Sequence, residues 1–369
     1  MKKLTAEHVE SLLRYGFDQD LFEEWQHAVS KKHLSTESNV LTGQILAPEA
    51  HQVHGLPNVG AAESDELAQV GGAAIAAGEL GAVILNGGMA TRFGGVVKGV
   101  VEVLGDRSFL ALKMEDIRRA QDAHGGRIEV YVMNSFATEK ATIAHFLDHD
   151  NFGLDADQIH HYTQFVSVRM QPNGHIFLTD DGDISPHGPG HGDCIPALRA
   201  HGCLRQFIEG GGKHLFVSNV DNLGARVDAR IVGHHIRSEA EATVELAPKW
   251  PGDVGGAPYV VDGRLQLVEQ LCFPEDFDPD IVNVFNTNTF HFRADALDRD
   301  FDLRWYLVKK TVEGRPAVQI ERLIGELTHA LTSNYIQVKR SGKDNRFFPV
   351  KTPEDLDSGR EEIAEMYAD

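Results

Sequence analysis

Apolar residues recur at helical spacing near the start of the chain and predict one or two amphipathic helices there. These residues are Val9, Leu12, Leu13, Phe17, Leu21, Phe22 and Trp25. Residues 31–65 follow with no clear period and with prolines at 48 and 57, a pattern typical of a connecting segment. From Glu66 a helix rich in small residues is expected, and it leads into an apolar run at 81–85.

Further short apolar runs predict buried strands, and amphipathic stretches separate them. The expected strands cover residues 81–85, 127–134, 214–220, 242–248 and 283–292. Two expected helices, at 108–125 and 139–151, carry apolar stripes formed by Leu110, Met114 and Ile117 and by Ile143, Phe146 and Leu147. The alternation favours an α/β fold with a mixed, mostly parallel sheet flanked by helices. In such folds ligands bind at the carboxyl ends of the strands.

Composition and charge narrow the classes of protein. With 42% hydrophobic and 24% charged residues, the chain has the make-up of a globular protein. A formal net charge of −20 would repel nucleic acid and anionic membranes, so neither is expected as a partner. No apolar run approaches the roughly 20 residues that cross a bilayer, and the N-terminus lacks an apolar signal core, which predicts a cytoplasmic protein. Cys194, Cys203 and Cys272 lack the spacing of a disulfide framework or zinc site, so reduced thiols are expected.

A glycine-rich segment, GAVILNGGMATRFGGVVKG at 81–99, follows the first expected strand. Glycines let backbone amides approach a phosphate closely, and Arg92 and Lys98 supply positive charge. The segment is neither a Walker A loop nor a dinucleotide fingerprint. A glycine-rich surface turn is the alternative, but two basic residues in the loop favour phosphate binding.

Polar residues end two other strands. In VSNVDNLGA at 217–225, Asp221 and its neighbouring amides suit a hard cation such as Mg²⁺, although Asp-Asn also begins ordinary turns. In FNTNTF at 285–290, Asn286 and Asn288 are expected on one face of a strand, where their amides suit sugar hydroxyls. Polar side chains of an edge strand facing water are the alternative.

Histidines invite a second metal hypothesis. His187, His191 and Asp193 lie close together in ISPHGPGHGD. Because the stretch is rich in glycine and proline it does not predict a helix, and loop histidines are the favoured interpretation.

Seven segments, in order along the chain, resemble the UDP-glucose pyrophosphorylase family. They are the loop at 81–99, MNSFAT at 133–138, GPGHGD at 188–193, VSNVDNLGA at 217–225, FNTNTF at 285–290, QIERLIGELTHAL at 319–331 and RFFPVKTPEDL at 346–356. The resemblance implies a Rossmann-like nucleotidyltransferase fold similar to glycosyltransferase A. Together with the apolar spacing and the change of composition at Glu66, this predicts an N-terminal helical segment and connector at 1–65 that packs on a catalytic domain at 66–369. The resemblance also implies a short form without the C-terminal β-helix domain of eukaryotic relatives.

The resemblance further implies an enzyme that transfers uridylyl from UTP to a sugar 1-phosphate, with Mg²⁺ as cofactor and glucose 1-phosphate as the first choice of sugar. The reaction would be a single in-line displacement without a protein nucleophile. The implied catalytic residues are Arg92, Lys98 and Lys351, and the implied metal ligand is Asp221. The implied nucleotide-binding residues are Asn86, Gly87, Gly88, Thr91, Gln164 and Gly190. The implied sugar-phosphate ligands are His191, Asn219, Asn286, Asn288 and Glu321; a solvated glutamate on an amphipathic helix is the alternative for Glu321.

Two departures from the family pattern keep other functions open. Ala90 stands where the family has glycine, and Val97-Lys98-Gly99 replaces its Pro-Lys, so Lys98 inherits the lysine's role. The alternatives are a catalytically weak UDP-sugar sensor and a glycosyltransferase that consumes a UDP-sugar. Galactose and N-acetylglucosamine remain open as sugars, and the sequence does not indicate an oligomeric state.

Overall fold

Eight strands form one central sheet in the computed structural model, which describes residues 4–90, 93 and 95–368. In chain order they are β1 His54–Gly55, β2 Leu80–Leu85, β3 Glu129–Asn134, β4 Ile159–Thr163, β5 His214–Asn219, β6 Ala242–Pro248, β7 Val284–Arg293 and β8 Ser333–Gln337. Their order across the sheet is β1-β8-β6-β7-β5-β2-β3-β4. Strand β7 runs antiparallel to β5 and β6, and the other pairings are parallel. The predicted α/β class is confirmed.

Helices cover both faces of the sheet. They are α1 Ala6–Leu13, α2 Gln19–Ser30, α3 Ala62–Ala76, α4 Phe109–His124, α5 Glu139–Asp148, α6 Cys194–Ala200, α7 Cys203–Glu209, α8 Ala229–Ser238 and α9 Pro353–Met366. Alternate residues of β2 point to opposite faces. Ala82 and Ile84 join the apolar cluster of α3, α4 and α9, whereas Val83 and Leu85 join that of α6 and α7. A strand buried on both faces reads as a continuous apolar run, and this is why β2 is visible in the sequence.

Short strands outside the central sheet form hairpins and edges. They are Ile45–Leu46, Met89–Ala90, Val96–Val97, Glu102–Leu104, Arg107–Ser108, Ser167–Val168, Pro186–His187, Ala257–Val261, Arg264–Val268, Tyr306–Val312 and Arg315–Glu321. The last two pair antiparallel, and this pair is called the 306–321 hairpin below.

The N-terminal helices pack on the 306–321 hairpin. Phe22 and Val29 share an apolar cluster with Val318 and Ile320, and the Trp25 and Trp305 ring centroids lie 4.6 Å apart. Helix α3 begins at Ala62 and so runs across the expected boundary after residue 65. The division into segments 1–65 and 66–369 stays a prediction. No helix in the described ranges is long and apolar enough to span a membrane.

The connector at 31–65 contains β1, which pairs with β8. Two details of the sequence interpretation were wrong. Leu147 is 71% exposed and does not belong to the apolar stripe of α5, which buries Phe146 instead. Glu321 ends a strand rather than standing on a helix, because residues 315–321 pair with 306–312.

Helices α3 and α8 touch backbone to backbone. A Cβ added to Gly71 would lie 1.8 Å from the Ala229 carbonyl oxygen, and one added to Gly233 would lie 1.9 Å from that of Leu67. Any side chain at either position would force the helices apart.

We expect Gly71→Ala and Gly233→Ala each to lower the free energy of unfolding by about 3 kcal/mol, because a backbone carbonyl cannot move aside as a side chain can. Urea denaturation measures this. Gly55→Ala is the control, since its Cβ would meet no atom within 4 Å, and a change below about 0.5 kcal/mol is expected. Equal effects of all three substitutions would contradict the tight helix crossing.

Candidate functional site

A cleft of about 610 Å³ opens at the carboxyl ends of β2, β3, β4 and β5. This is the edge at which open α/β sheets bind ligands. The cleft brings together nine of the residues to which the family resemblance gave a catalytic, metal-binding or substrate-binding role. They are Gly87, Gly88, Lys98, Gln164, Gly190, His191, Asn219, Asp221 and Glu321.

An ion pair joins the glycine-rich segment to the end of β5. Lys98 Nζ lies 3.2 Å from Asp221 Oδ2, and the two side chains are 11% and 23% exposed. The ammonium also lies 5.5 Å and 5.7 Å from the ring centroids of Phe93 and Phe109. Lys98 is therefore fixed at the cleft even though no proline precedes it.

Asn86 supports the glycine-rich segment from beneath. Its fully buried amide donates to Asn134 Oδ1 at 3.1 Å and to Thr142 Oγ1 at 2.8 Å. A Cβ on Gly99 would lie 2.3 Å from Asn86 Oδ1, so a glycine must follow Lys98. The Asn86 side chain does not line the cleft.

The substitution at residue 90 introduces no backbone conflict. Ala90 pairs with Val96 in a short antiparallel ladder, an extended conformation that needs no glycine. Thr91 and Arg92 lie outside the described residues, so their predicted roles stay predictions.

A buried lysine holds the turn that carries Asp221. Lys113 on α4 is 1% exposed, and its ammonium donates to Ser218 Oγ at 3.3 Å and to the carbonyls of Asn222 and Ala225 at 2.7 and 2.5 Å. Burial lowers the pKa of Lys113 to about 7, against the pull of Asp116. Sequence reasoning missed this residue, because a lysine on an amphipathic helix normally faces water.

Gln164 lies between two glycine segments. It follows β4, and its backbone N–H donates to the Asn134 carbonyl at 2.8 Å. A Cβ on Gly188 would lie 2.1 Å from Gln164 Nε2, and one on Gly87 would lie 2.9 Å away. The two glycines therefore leave space for a planar amide at one end of the cleft.

The segment 188–193 is locked to residues 321–324. Gly190 has φ +89°, and its Cβ would lie 2.3 Å from the Arg322 carbonyl oxygen, so only glycine fits. Arg322 Nε donates to Asp193 Oδ1 at 2.6 Å. Burial raises the pKa of Asp193 to about 6, and Arg322 opposes that rise.

His191 presents one nitrogen as a donor. Its Nδ1 accepts the Ile324 N–H at 3.2 Å, so the neutral ring carries its proton on Nε2. Burial lowers the pKa of His191 and keeps the ring neutral. His187, in turn, contacts the Gly188 carbonyl through Nδ1 at 3.0 Å. Within the described ranges, no group of three His, Cys, Asp or Glu residues is arranged to hold a metal. His187 ends the short strand Pro186–His187 and is buried, so the interpretation of this residue as an ordinary loop histidine was wrong.

Comparison with known proteins identifies the family. The family model described as UTP–glucose-1-phosphate uridylyltransferase matches residues 20–366. The chain belongs to this uridylyltransferase family. The resemblance found in the seven sequence motifs is thereby confirmed.

Named relatives and solved structures agree with this assignment. The barley (Hordeum vulgare) UTP–glucose-1-phosphate uridylyltransferase is 32% identical over 288 residues, which cover 74% of this chain and 59% of the barley protein. A probable enzyme of the same name from Schizosaccharomyces pombe is 31% identical over 298 residues, which cover 75% and 58%. The chain thus spans about three fifths of the length of these relatives.

Two solved structures share the fold. The Trypanosoma brucei UDP-N-acetylglucosamine pyrophosphorylase superposes with a TM-score of 0.79 at 21% identity and covers 95% of this chain and 77% of that one. The UDP-glucose phosphorylase of the same organism gives 0.75 at 21%, with 94% and 76% covered.

The two asparagines of the FNTNTF segment are arranged differently from the expectation. Strand β7 bulges: Glu245 of β6 pairs with Thr289 and Leu246 pairs with Asn286, so Thr287 and Asn288 are skipped. Asn288 has φ +57°, so the regular strand alternation on which the shared-face expectation for Asn286 and Asn288 was based does not hold there.

The bulge nevertheless gathers the amides beside β5. Asn286 Oδ1 accepts the backbone N–H of Asn288 at 2.9 Å, and the Asn288 amide donates to Asn219 Oδ1 at 2.9 Å. Asn219 lines the cleft, whereas Asn286 and Asn288 are not among its lining residues.

Lys351 stands at the rim. The Val350 N–H donates to the Asp221 carbonyl at 3.0 Å, which places the next residue beside the ion pair of Lys98 and Asp221. The Lys351 side chain is exposed and does not line the cleft. Its predicted catalytic role stays a prediction.

Three residues that the sequence interpretation missed are further candidates for a functional role. Arg169 and Gln319 line the cleft. Glu269 is half-buried beside Gly256, whose carbonyl accepts the Asn286 N–H at 2.8 Å. Desolvation raises the pKa of Glu269 to about 7, and its Oε1 has no hydrogen-bond partner among the described residues. Glu269 follows the strand-like segment LQLV at 265–268, as Asp221 follows a strand, but Arg169 has no comparable signal.

Buried His187 makes the site sensitive to acid. Burial lowers the pKa of His187 to about 3, whereas an unfolded histidine titrates near 6.5. Between these values the unfolded state binds the extra proton, so stability falls as pH drops below about 6.5.

The free energy of unfolding should fall between pH 7 and pH 5 in both proteins. We expect this fall to be about 2 kcal/mol smaller in His187→Gln than in the parent. Urea denaturation at both pH values measures the difference. His175→Gln, at an exposed position, is the control and should leave the loss unchanged. An unaltered loss in His187→Gln would mean that this ring is protonated in the folded protein.

Proposed function

We propose that the chain transfers a uridylyl group from UTP to glucose 1-phosphate and thereby forms UDP-glucose and pyrophosphate. The ion pair of Lys98 and Asp221, at the carboxyl edge of the sheet and within one cleft with Gln164 and His191, carries this proposal. The names of the barley and S. pombe relatives support it. Leishmania major UDP-glucose pyrophosphorylase structures in complex with UDP-glucose share the fold.

The reaction is a single displacement. An oxygen of the sugar phosphate forms a bond to the α-phosphorus of UTP as the bond to the pyrophosphate oxygen breaks, and pyrophosphate leaves with the electron pair. The attacking phosphate is already an anion, so no general base is required. Positioning and charge stabilisation then supply the rate enhancement.

Lys98 meets the triphosphate in this scheme. Its ammonium is held at the cleft by Asp221 and by two aromatic rings, so little reorganisation is needed when a phosphate replaces Asp221 as its partner. The glycines at 87 and 88 bring backbone close to the same phosphates.

Asp221 is the residue that would hold Mg²⁺. A single carboxylate suits this ion, which takes few protein ligands and completes its shell with phosphate oxygens and water. Mg²⁺ bound there would neutralise charge on the phosphates.

We assign the two substrates to different ends of the cleft. The Gln164 amide, between Gly87 and Gly188, offers the coplanar donor and acceptor that uracil needs. At the other end His191 Nε2–H suits a phosphate oxygen, while Asn219 and Glu321 suit sugar hydroxyls. We place the reaction in the cytoplasm, since all three cysteines are free and buried.

We expect pyrophosphate release from UTP, Mg²⁺ and glucose 1-phosphate, and a decrease of about a hundredfold or more in kcat for Lys98→Met, because a preorganised charge is lost. Coupled pyrophosphate detection measures the rate. Lys140→Met, at an exposed position outside the cleft, is the matched control and should keep the parent rate.

A Lys351→Ala variant in the same assay tests whether the exposed lysine reaches the phosphates, and EDTA tests the need for the cation. Folded protein that binds UDP-glucose and releases no pyrophosphate with glucose, galactose or N-acetylglucosamine 1-phosphate would contradict the proposed function and favour a UDP-sugar sensor.

A further inference from the structure

The geometry points to Arg169 and Gln319 as positioning residues that aim the carboxylate of Glu321 at the sugar and so set sugar specificity. This inference rests on the proposed function, because it takes the Glu321 end of the cleft as the sugar end. It concerns two side chains to which the family resemblance gave no role.

Arg169 is held on three sides. Its Nε donates to Gln319 Oε1 at 2.9 Å, and its Nη1 donates to Ser185 Oγ at 3.0 Å and to the Pro186 carbonyl at 2.9 Å. A guanidinium with these fixed acceptors has one orientation. Arg169 thereby connects the segment before Gly188 to the 306–321 hairpin.

Arg169 decides which way the Gln319 amide faces. A guanidinium can only donate, so the atom opposite its Nε must be the amide oxygen. The amide nitrogen of Gln319 then points away from Arg169, and it donates to Glu321 Oε1. Gln319 and Glu321 are two residues apart on one strand, so their side chains share a face.

One carboxylate oxygen of Glu321 thus interacts with other side chains of the protein. Oε1 accepts from Gln319 and lies 3.5 Å from Lys310 Nζ. Oε2 has no donor among the described residues, and Glu321 lines the cleft with a side chain that is 17% exposed. A half-buried carboxylate oxygen without a partner is a strong acceptor for a sugar hydroxyl.

Loss of Arg169 would release this arrangement. With no donor to hold its oxygen, the Gln319 amide can turn and place that oxygen against the Glu321 carboxylate, where the two acceptors repel each other. The Glu321 carboxylate would then rotate away from the orientation in which it accepts a hydrogen bond from the sugar. Discrimination between sugars that differ in one hydroxyl depends on this kind of fixed acceptor.

The test is a set of double-mutant cycles on Arg169→Met, Gln319→Met and Glu321→Gln. We expect each single variant to raise KM for glucose 1-phosphate about tenfold and to reduce the preference for glucose over galactose 1-phosphate, the effect of one lost hydrogen bond. The dissociation constant of UTP, measured by calorimetry, should change by less than about twofold, since Gln164 is not part of the relay.

Coupling distinguishes a relay from general damage. If Arg169 and Gln319 act through Glu321, adding either substitution to Glu321→Gln should change KM for glucose 1-phosphate by less than about twofold. Arg315→Met is the control on the same hairpin, where Arg315 donates to the Leu178 carbonyl at 2.9 Å outside the cleft. It should keep the parent KM and the parent preference.

Additive effects, an unchanged sugar preference or an equal loss of UTP affinity in the Arg169 and Gln319 variants would overturn the relay while leaving the proposed function intact. Failure of the proposed function has a different appearance, because the folded parent protein would then release no pyrophosphate with glucose 1-phosphate, whether or not it binds UDP-glucose. In that case the relay falls with it.

Discussion

One ammonium group, that of Lys113, is buried behind the cleft and fixes the turn on which Asp221 stands. A buried cation costs several kcal/mol unless its donors are satisfied, and Lys113 satisfies them with one hydroxyl and two backbone carbonyls of the 218–225 segment. Arg346 adds a second buried cation, which binds both carboxylate oxygens of Glu245 at 2.7 and 3.0 Å and the Arg226 carbonyl at 2.6 Å. These hydrogen bonds connect helix α4, strand β6 and the segment leading to Lys351 beneath Asp221. The position of Asp221 therefore depends on the positions of these three elements.

The walls of the cleft depend on a second constraint, which is the close approach of glycine backbone to neighbouring residues. Gly188 and Gly190 lie so near to Gln164 and Arg322 that a Cβ would overlap them. Glycine is needed at these positions because the absence of a Cβ permits close approach, in addition to the conformational freedom that it gives. The cleft is consequently shaped before any substrate enters, and its charged side chains are held by neighbours instead of by solvent. Preorganised groups of this kind suit a reaction in which positioning and charge stabilisation are the main contributions.

The sequence predicted most of the sheet and the cleft edge, because strands β2, β3, β5, β6 and β7 are rich in apolar residues or in residues that favour strands. Strand β4 escaped prediction, since it contains His160 and His161, whose rings find partners in Glu129 and Phe146 only after folding. The motifs identified residues such as Asp221 and His191, because the amino-acid type alone indicates the chemistry of these side chains. They did not reveal Lys113 or Arg169, whose roles depend on hydrogen bonds to residues more than a hundred positions away, nor the bulge that rearranges Asn286 and Asn288.

The most direct test of the account is the stereochemical course at the α-phosphorus, followed with UTP that carries a chiral α-thiophosphate and with glucose 1-phosphate as acceptor. A single displacement in the cleft predicts UDP-glucose thio-analogue with inverted configuration. Retention would show two displacements through a covalent uridylyl-enzyme, and it would contradict the central claim that Lys98, Asp221 and their surroundings act on the substrates without a protein nucleophile.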